Sequence, residues 1–184
     1  TSLAPTQFDH MNRLEPEITE RLEAPFEGCS VFDRQSVGTR RAVYVSGDPD
    51  PDRVQVRYWV HDEDQELYGR AYFGEKTQGP PQHVHGGSMA ALLDEAMGIT
   101  AWIAGHPVLA AEITVRFRKS LPLHTVTEFH AWVEEVRGRK IITKGVLLGE
   151  NGEIYSESTG LFMVMTKDRL DHMRTLFFEE EGSH

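Results

Sequence analysis

The chain has 184 residues, of which 39% are hydrophobic and 26% charged, a composition typical of one folded domain and not of a disordered or fibrous protein. Its 29 acidic residues outnumber its 19 lysines and arginines, which gives a net charge of −10. Because nucleic acids and anionic membranes are polyanions, this charge disfavours a general role in binding either of them. A single cysteine, Cys29, excludes an intrachain disulfide, and no signal peptide is predicted, so we expect a cytoplasmic protein.

The first part of the chain predicts one helix and several strands. Apolar residues at three- and four-residue steps predict an amphipathic helix over residues 7–22, divided at Pro16. Strands are predicted over residues 41–45, 53–60 and 67–73, and a turn rich in Pro, Asp and Gly separates the first two. We expect a helical N-terminal extension over residues 1–40, a main domain over 41–166 and a C-terminal tail over 167–184.

Residues 86–104 predict one long helix that is apolar on nearly every side, a pattern typical of a helix buried in protein. Gly105 and Pro107 end it, since glycine suits a helix cap and proline cannot continue the helix. Its length approaches that of a membrane span, but Asp94 and Glu95 near its middle would be costly in lipid. We therefore predict no membrane-spanning segment.

The rest of the chain predicts strands, beginning with alternation around Ile113 and continuing over residues 126–136, 140–148 and 154–165. Tight turns join the last three of these strands, and this arrangement predicts an antiparallel meander. The order of elements is strands, one buried helix, then long strands. This order predicts an α+β fold in which a sheet curls round a helix.

The loop before the long helix brings two glycines, Gly86 and Gly87, to the helix N-terminus. The first N–H groups of a helix lack internal partners, and the helix dipole places partial positive charge there. Glycine lets a ligand approach the backbone closely, so this end suits an anion or a developing oxyanion. A double glycine at a helix start is also a common packing or turn device, and both interpretations remain open here.

Asp94 lies two turns into this helix, among apolar residues. Burial is expected to raise the pKa of its carboxyl, which suits a base that activates water. Buried acids are uncommon unless they are paired, so a functional role is favoured over a structural one. Glu95 is the rival acid, but its direction differs from that of Asp94 by about 100°, so both cannot face one pocket.

Three further patterns carry less weight. His83 and His85 form an H-x-H pair without a second ligand cluster, so we expect hydrogen bonding within the loop or to substrate and no metal site. Ser88 departs from a nucleophile elbow, because Ala90 replaces its last glycine and no apolar strand precedes it. A basic cluster later in the chain is either a set of solvated strand ends or a binding site for the phosphates of a ligand. Its first members are Arg116, Arg118 and Lys119.

The segment His85-Gly86-Gly87, followed by Asp94 nine residues after the histidine, resembles the hot-dog-fold acyl-CoA thioesterases, most closely the phenylacetic-acid-pathway branch. Residues 113–123 are similar to the family's strand after the helix, with its basic pair before a proline-containing turn. The resemblance covers approximately residues 67–164. It implies an α+β hot-dog fold, with a long central helix wrapped by a curved antiparallel sheet, and a homodimer or tetramer in which paired subunits complete the active sites.

The resemblance also implies an activity, the hydrolysis of an acyl-CoA thioester to a carboxylic acid and CoA within fatty acid metabolism, without a metal or organic cofactor. Gly86 would offer its N–H to the thioester carbonyl, Asp94 of the facing subunit would act as general base or nucleophile, and His85 would shape the loop. The remaining candidates would bind substrate. They are Gln82, His83 and Gly87 near the reacting group and Arg116, Arg118 and Lys119 near the CoA phosphates.

One departure from the family keeps other functions open. Family members often carry a water-orienting Ser or Thr near the start of the strand after the helix, where this chain has Leu109-Ala110-Ala111-Glu112. Glu112 or another group would then orient the water, or catalysis would be slower. The alternatives are a non-catalytic protein that binds or senses acyl-CoA on the same fold, and a dehydratase or hydratase, whose acid–base motif is not found here. No DNA-binding helix is evident.

Overall fold

The computed structural model describes residues 13–37 and 44–181. Within them the chain forms three α-helices, seven β-strands and two short 3₁₀ turns, at Arg34–Val37 and Glu75–Thr77. The helices are α1 (Pro16–Glu23), α2 (Gly86–Ile103) and α3 (Lys167–Glu181). The strands are β1 (Cys29–Val31), β2 (Val54–His61), β3 (Leu67–Phe73), β4 (Val108–Phe117), β5 (Val126–Arg137), β6 (Lys140–Gly149) and β7 (Ile154–Val164).

The seven strands form one antiparallel sheet in the order β1-β2-β3-β5-β6-β7-β4. The register shifts in three of the pairings, between Ala110 and Glu112, Val133 and Glu135, and Leu147 and Leu148. Such bulges bend strands and increase their twist, which helps a sheet to curl. The predicted architecture, a long helix wrapped by a curved antiparallel sheet, is confirmed.

The core lies between α2 and one face of the sheet, which we call the inner face. Along β6 and β7, alternate residues point to this face, as the two-residue period of a strand requires. Gly145 of β6 approaches Leu93 and Met97 of the helix, and the Ser158 hydroxyl of β7 lies 3.4 Å from the Met97 sulfur. Residues at the intervening positions point to the opposite, outer face.

The long helix is buried on one side only. Leu92, Leu93, Ala96 and Met97 are fully buried, whereas the side that carries Asp94 is half-exposed in a single chain. The sequence predicts burial on nearly every side. One copy of the chain therefore buries less of this apolar helix than the pattern predicts. Around Asp94 this half-exposed side carries small residues, among them Ala90, Ala91 and Gly98.

The elements between residues 53 and 166 agree closely with the predictions, and those outside this range differ. Of the helix predicted over residues 7–22 and divided at Pro16, the described part is α1, which begins at Pro16, since proline suits the first position of a helix. Residues 1–12 and 41–43 lie outside the described residues, and Tyr44 and Val45, predicted as strand, are not in one. β1 was not predicted, since three residues are too few for a detectable alternation.

The C-terminal segment predicted as a tail contains α3, and β1 from within the predicted helical extension joins the sheet. The division of the chain at residues 40 and 166 stays a prediction. Among the described residues, no helix is both long enough and apolar enough to cross a membrane.

Gly69 of β3 is a position where a side chain does not fit. A Cβ there would lie 2.0 Å from Cζ of Phe129 and 2.6 Å from the backbone oxygen of Arg57. The Phe129 ring is almost fully buried and meets Tyr58 edge-on, so it has no free space to move into. We expect Gly69→Ala to lower the free energy of unfolding by about 1–3 kcal/mol, measured by urea denaturation. An unchanged midpoint would mean that the Phe129 ring is not fixed against β3.

Candidate functional site

The loop before α2 is held by backbone hydrogen bonds to two other parts of the chain and by one within itself. The His85 N–H donates to the Thr77 oxygen at 2.8 Å, and the Val84 N–H donates to the Leu121 oxygen at 2.8 Å. Within the loop, the Gly79 N–H donates to the His83 oxygen at 3.0 Å. These bonds fix where the chain enters the helix, so the first turn of α2 has a defined position.

His85 is the N-cap of α2, and its side chain accepts a hydrogen bond from the Gly87 N–H at Nδ1, at 2.8 Å. Because Nδ1 accepts this bond, the proton of the neutral imidazole lies on Nε2. His85 thus satisfies one of the free N–H groups at the helix start with its own ring. This contact supports the predicted role of His85 in shaping the loop.

Gly86, the first residue of the helix, keeps its N–H free. No group among the described residues accepts a hydrogen bond from it. The ring of Phe117, at the end of β4, lies beside this glycine, and a Cβ on Gly86 would be 3.1 Å from its Cζ. A free N–H at a helix N-terminus, beside an aromatic ring, is a site where an oxyanion can be stabilised.

Asp94 follows Gly86 by eight residues, which corresponds to about 12 Å along the helix axis. Its side chain is half-buried, and its Oδ1 is shielded from solvent without a hydrogen-bond partner among the described residues. Burial raises the pKa of the Asp94 carboxyl, and the neighbouring Glu95 carboxylate raises it further. A carboxylate with a raised pKa and an unsatisfied oxygen is suited to accept a proton.

Glu95, the rival acid, is engaged elsewhere. Its carboxylate accepts hydrogen bonds from the hydroxyls of Tyr58 and Ser46 and lies near the Arg34 guanidinium. The two acids therefore point to different surroundings, as the helix geometry predicts, and of the two only Asp94 has a buried oxygen without a hydrogen-bond partner among the described residues. The sequence does not predict the contacts of Tyr58 and Ser46 with Glu95, because residues far apart in the chain give no local signal of their contact.

Gln82 and His83 lie in the loop beside this helix start. Gln82 has a φ of 62°, its N–H donates to the Gln78 side chain at 2.9 Å, and its oxygen accepts from the Leu123 N–H at 3.0 Å. Nδ1 of His83 lies 2.9 Å from the Pro81 oxygen. His83 is thus held within its own loop, and Gln82 is held both by this loop and by the segment after β4.

The three predicted phosphate ligands lie at the end of β4, and two of them are paired. Arg118 forms an ion pair with Glu157, and the Lys119 ammonium lies 3.9 Å from the Glu153 carboxylate. Arg116 points to the outer face of the sheet, where a groove of about 580 Å³ also contains Trp132 and Lys144. This groove lies on the face opposite α2, so one chain does not bring Arg116 towards Asp94.

Strand alternation also decides the direction of Glu112. Thr114 and Arg116 line the outer groove, so Glu112, two residues earlier, shares their face. Its backbone pairs with Leu161 directly after the bulge at Ala110. Within one chain Glu112 therefore points away from Asp94, and the hypothesis that it orients the catalytic water stays a prediction.

Among the described residues, no group of three or more His, Cys, Asp or Glu side chains could hold a metal ion. His83 is instead hydrogen-bonded to the backbone of its own loop, and His85 to the backbone of the first turn of α2. The geometry thus presents a helix N-terminus and a carboxylate, without a set of metal ligands in this part of the chain.

Known proteins match the segment that contains this site. A family model described as Thioesterase superfamily matches residues 81–156. Over 97 residues the chain is 31% identical to the acyl-coenzyme A thioesterase THEM4 of Bos taurus, a match that covers 52% of this chain and 40% of the bovine protein. The chain spans less than half the length of the first curated relatives that it matches.

Solved structures extend the likeness to the fold. The crystal structure of a thioesterase superfamily protein is 28% identical with a TM-score of 0.62, covering 80% of this chain and 71% of that one. The E. coli PaaI protein from the phenylacetic acid degradation operon is 14% identical with a TM-score of 0.56, covering 60% of this chain and 80% of that one. At that identity the second match shows the fold alone. Residues 81–156 therefore match the thioesterase superfamily, and the chain has the hot-dog fold.

Proposed function

We propose that the chain hydrolyses an acyl-CoA thioester to a free carboxylic acid and CoA. The observation that carries the proposal is a half-buried Asp94 carboxylate with a free oxygen, on the same helix whose N-terminal Gly86 N–H is also free. The name of the bovine relative, an acyl-coenzyme A thioesterase, supports this reaction and CoA as the thiol. We place the protein in the cytoplasm, in fatty acid metabolism.

In this mechanism Asp94 accepts a proton from water as the water oxygen attacks the thioester carbon. The carbonyl oxygen becomes an oxyanion, which the Gly86 N–H and the helix dipole stabilise. The tetrahedral intermediate then collapses, the C–S bond breaks, and CoA leaves as a thiolate that takes up a proton. In a second route that uses the same groups, Asp94 attacks the carbonyl directly and water hydrolyses the resulting anhydride. Neither route requires a metal or an organic cofactor.

The proposed active site is shared between two copies of the chain. Gly86 and Asp94 of one helix are about 12 Å apart, too far for both to reach one carbonyl group. Two antiparallel helices related by a twofold axis would place Gly86 of one subunit near Asp94 of the other. The half-exposed side of α2, with the small residues Ala90 and Gly98, allows such an approach.

The edge of the sheet supports the same assembly. β4 pairs with β7 on one side, and its other side has no partner strand in the described chain, over ten residues. A long unpaired edge is a template for pairing with another chain. We therefore propose a homodimer in which β4 pairs with its twofold copy, and a tetramer would be a dimer of such dimers.

The substrate contacts follow from the same arrangement. We propose that Gln82, His83 and Gly87 lie along the acyl group or the carbonyl, since they line the loop that leads to the Gly86 N–H. Of the three basic candidates, Arg116 has the least competition for a CoA phosphate, because Arg118 and Lys119 are close to carboxylates of their own chain. A phosphate would have to compete with those carboxylates.

The pKa of Asp94 predicts the pH dependence of the reaction. The general base must be ionised, and burial and Glu95 raise its pKa above the usual value for aspartate. We therefore expect kcat/KM to fall as the pH is lowered through this raised pKa, at a higher pH than for an ordinary aspartate. The measurement is the rate of thiol release against pH, and a rate independent of pH over the acidic range would exclude a carboxylate base.

The experiment that tests the proposed function is thiol release from short, medium, long and aromatic acyl-CoAs, with binding of each compound measured in parallel. Turnover of at least one of them is expected, and the preferred acyl group would define the pocket. Saturable binding without turnover would favour the second candidate, a non-catalytic acyl-CoA-binding protein. The observation that favours this candidate is the lack of a hydroxyl at residues 109–112.

A further inference from the structure

Glu95, the acidic neighbour of Asp94, has no part in the mechanism above. Its carboxylate is nevertheless held by hydrogen bonds and by a nearby guanidinium. Its side chain is only 13% exposed. Three groups converge on its Oε1 oxygen: the Tyr58 hydroxyl, the Ser46 hydroxyl at 2.7 Å, and Nε of Arg34 at 3.8 Å. Two hydroxyl donors and a neighbouring guanidinium stabilise the negative charge of a carboxylate.

The three partners come from separate parts of the chain. Arg34 belongs to the first 3₁₀ turn, Ser46 to the loop before β2, and Tyr58 to β2 itself. Tyr58 is fixed in turn, since it is buried and its ring meets Phe129 edge-on at 5.8 Å between centroids. Burial, and then the Glu95 carboxylate, raise the pKa of Tyr58, so its phenol stays protonated and donates.

These contacts fix the rotation of α2 about its axis. The helix carries apolar or small residues on nearly every side, so apolar packing alone specifies its rotation weakly. Adjacent residues of a helix differ in direction by about 100°. With Glu95 held against β2 and its flanking loop, Asp94 is turned to the half-exposed side of α2, beside Ala90 and Gly98.

We propose that Glu95 is a positioning residue for Asp94: held by Tyr58, Ser46 and Arg34, it sets the direction in which Asp94 points and keeps a negative charge beside its carboxyl. The inference rests on the proposed function, in which Asp94 is the base. It adds a second carboxylate that acts through Asp94 without touching the substrate.

The charges around the pair agree with this role. Among the described residues, Arg34 and Tyr58 are the charged and titratable groups that face Glu95 from the elements packed against it. Glu95 is the neighbouring charge that acts on Asp94, and it raises the pKa of Asp94 in addition to burial. Removing the negative charge of Glu95 should therefore make Asp94 ionise at lower pH.

The test is Glu95→Gln, which keeps an amide oxygen for the hydroxyls of Tyr58 and Ser46 and removes the charge. The titration of the Asp94 carboxyl is followed by ¹³C NMR, with its signal assigned from its loss in Asp94→Asn, and the pH dependence of kcat/KM is measured on the same proteins. Both midpoints are expected to move to lower pH. Below the wild-type midpoint the variant should be the faster enzyme, and at high pH the two rates should converge.

Tyr58→Phe is the matched control, since it removes one hydroxyl donor and keeps both the ring and the Glu95 charge. Its Asp94 midpoint should not fall, although its melting temperature should. An unchanged NMR midpoint in Glu95→Gln, or an equal fall in both variants, would overturn the inference. If the NMR midpoint falls and the rate profile stays in place, Glu95 acts on Asp94 as proposed, and the proposed role of Asp94 as the base is wrong.

Discussion

Asp94→Asn is expected to lower kcat for thioester hydrolysis by about 10²–10⁴-fold, the usual contribution of a general base. The amide has nearly the same size and cannot accept the proton of the attacking water, nor can it act as a nucleophile. Acyl-CoA binding should persist, because the loop and the helix start do not depend on this side chain. The measurement is thiol release under saturating substrate, with binding followed by calorimetry.

The same variant should be more stable than the wild type at neutral pH. The folded-state pKa of Asp94 is raised, so the folded chain binds this proton more tightly than the unfolded chain does. Its ionisation therefore disfavours the folded state as pH rises through the folded pKa. The gain in melting temperature from Asp94→Asn should be present at neutral pH and vanish below the unfolded pKa.

Asp168→Asn provides the matched control, since Asp168 is an exposed acid of α3 and the change in charge is the same. It should alter neither the turnover nor the melting temperature appreciably. Full turnover in Asp94→Asn would remove Asp94 from the mechanism. A melting temperature that falls in this variant would mean that the Asp94 carboxylate makes a stabilising contact in the assembled protein.

Gly86→Pro is expected to lower kcat by about 10²–10³-fold, the usual cost of removing one oxyanion donor. Proline is well suited to the first position of a helix, where its missing N–H has no helical partner. His85 already has the extended conformation that a residue before proline adopts, with φ −64° and ψ 134°. The substitution therefore removes the Gly86 N–H and leaves the helix in place.

Gly86→Ala separates the loss of the N–H from the crowding of the Phe117 ring. Both substitutions add a Cβ that would lie 3.1 Å from Cζ of Phe117, but alanine keeps the N–H. We expect Gly86→Ala to lose much less activity than Gly86→Pro, with circular dichroism showing equal helix content. Equal losses in the two variants would assign the effect to crowding and not to the oxyanion.

Local patterns predict the elements that position the site, and long-range contacts decide the rest. The start of α2 follows from Gly86 and Gly87 after a proline-rich loop, and its end from Gly105. The order of β5, β6 and β7 follows from tight turns. The short strand β1 has no such signal, because its three residues pair with β2 through backbone hydrogen bonds that any sequence can make.

In the candidate site, too, local patterns predict some features and long-range contacts decide the others. The free N–H of Gly86 and the half-buried carboxylate of Asp94 follow from the motif and the apolar helix around it. The contacts of Glu95 could not be predicted, since Ser46 and Tyr58 are 49 and 37 residues away from it in sequence. The outward direction of Glu112 depends on a bulge in β4, and a shift of one residue in register reverses the face of every side chain.

The measurement that tests the account most directly is the activity of a mixture of two inactive variants, Asp94→Asn and Gly86→Pro, unfolded and refolded together. If each active site takes Gly86 from one subunit and Asp94 from the other, a mixed dimer has one intact site and one doubly altered site. Random pairing should then restore about a quarter of the wild-type activity, because half of the dimers are mixed. Activity that stays at the level of the separate variants would contradict a site shared between two copies of this chain.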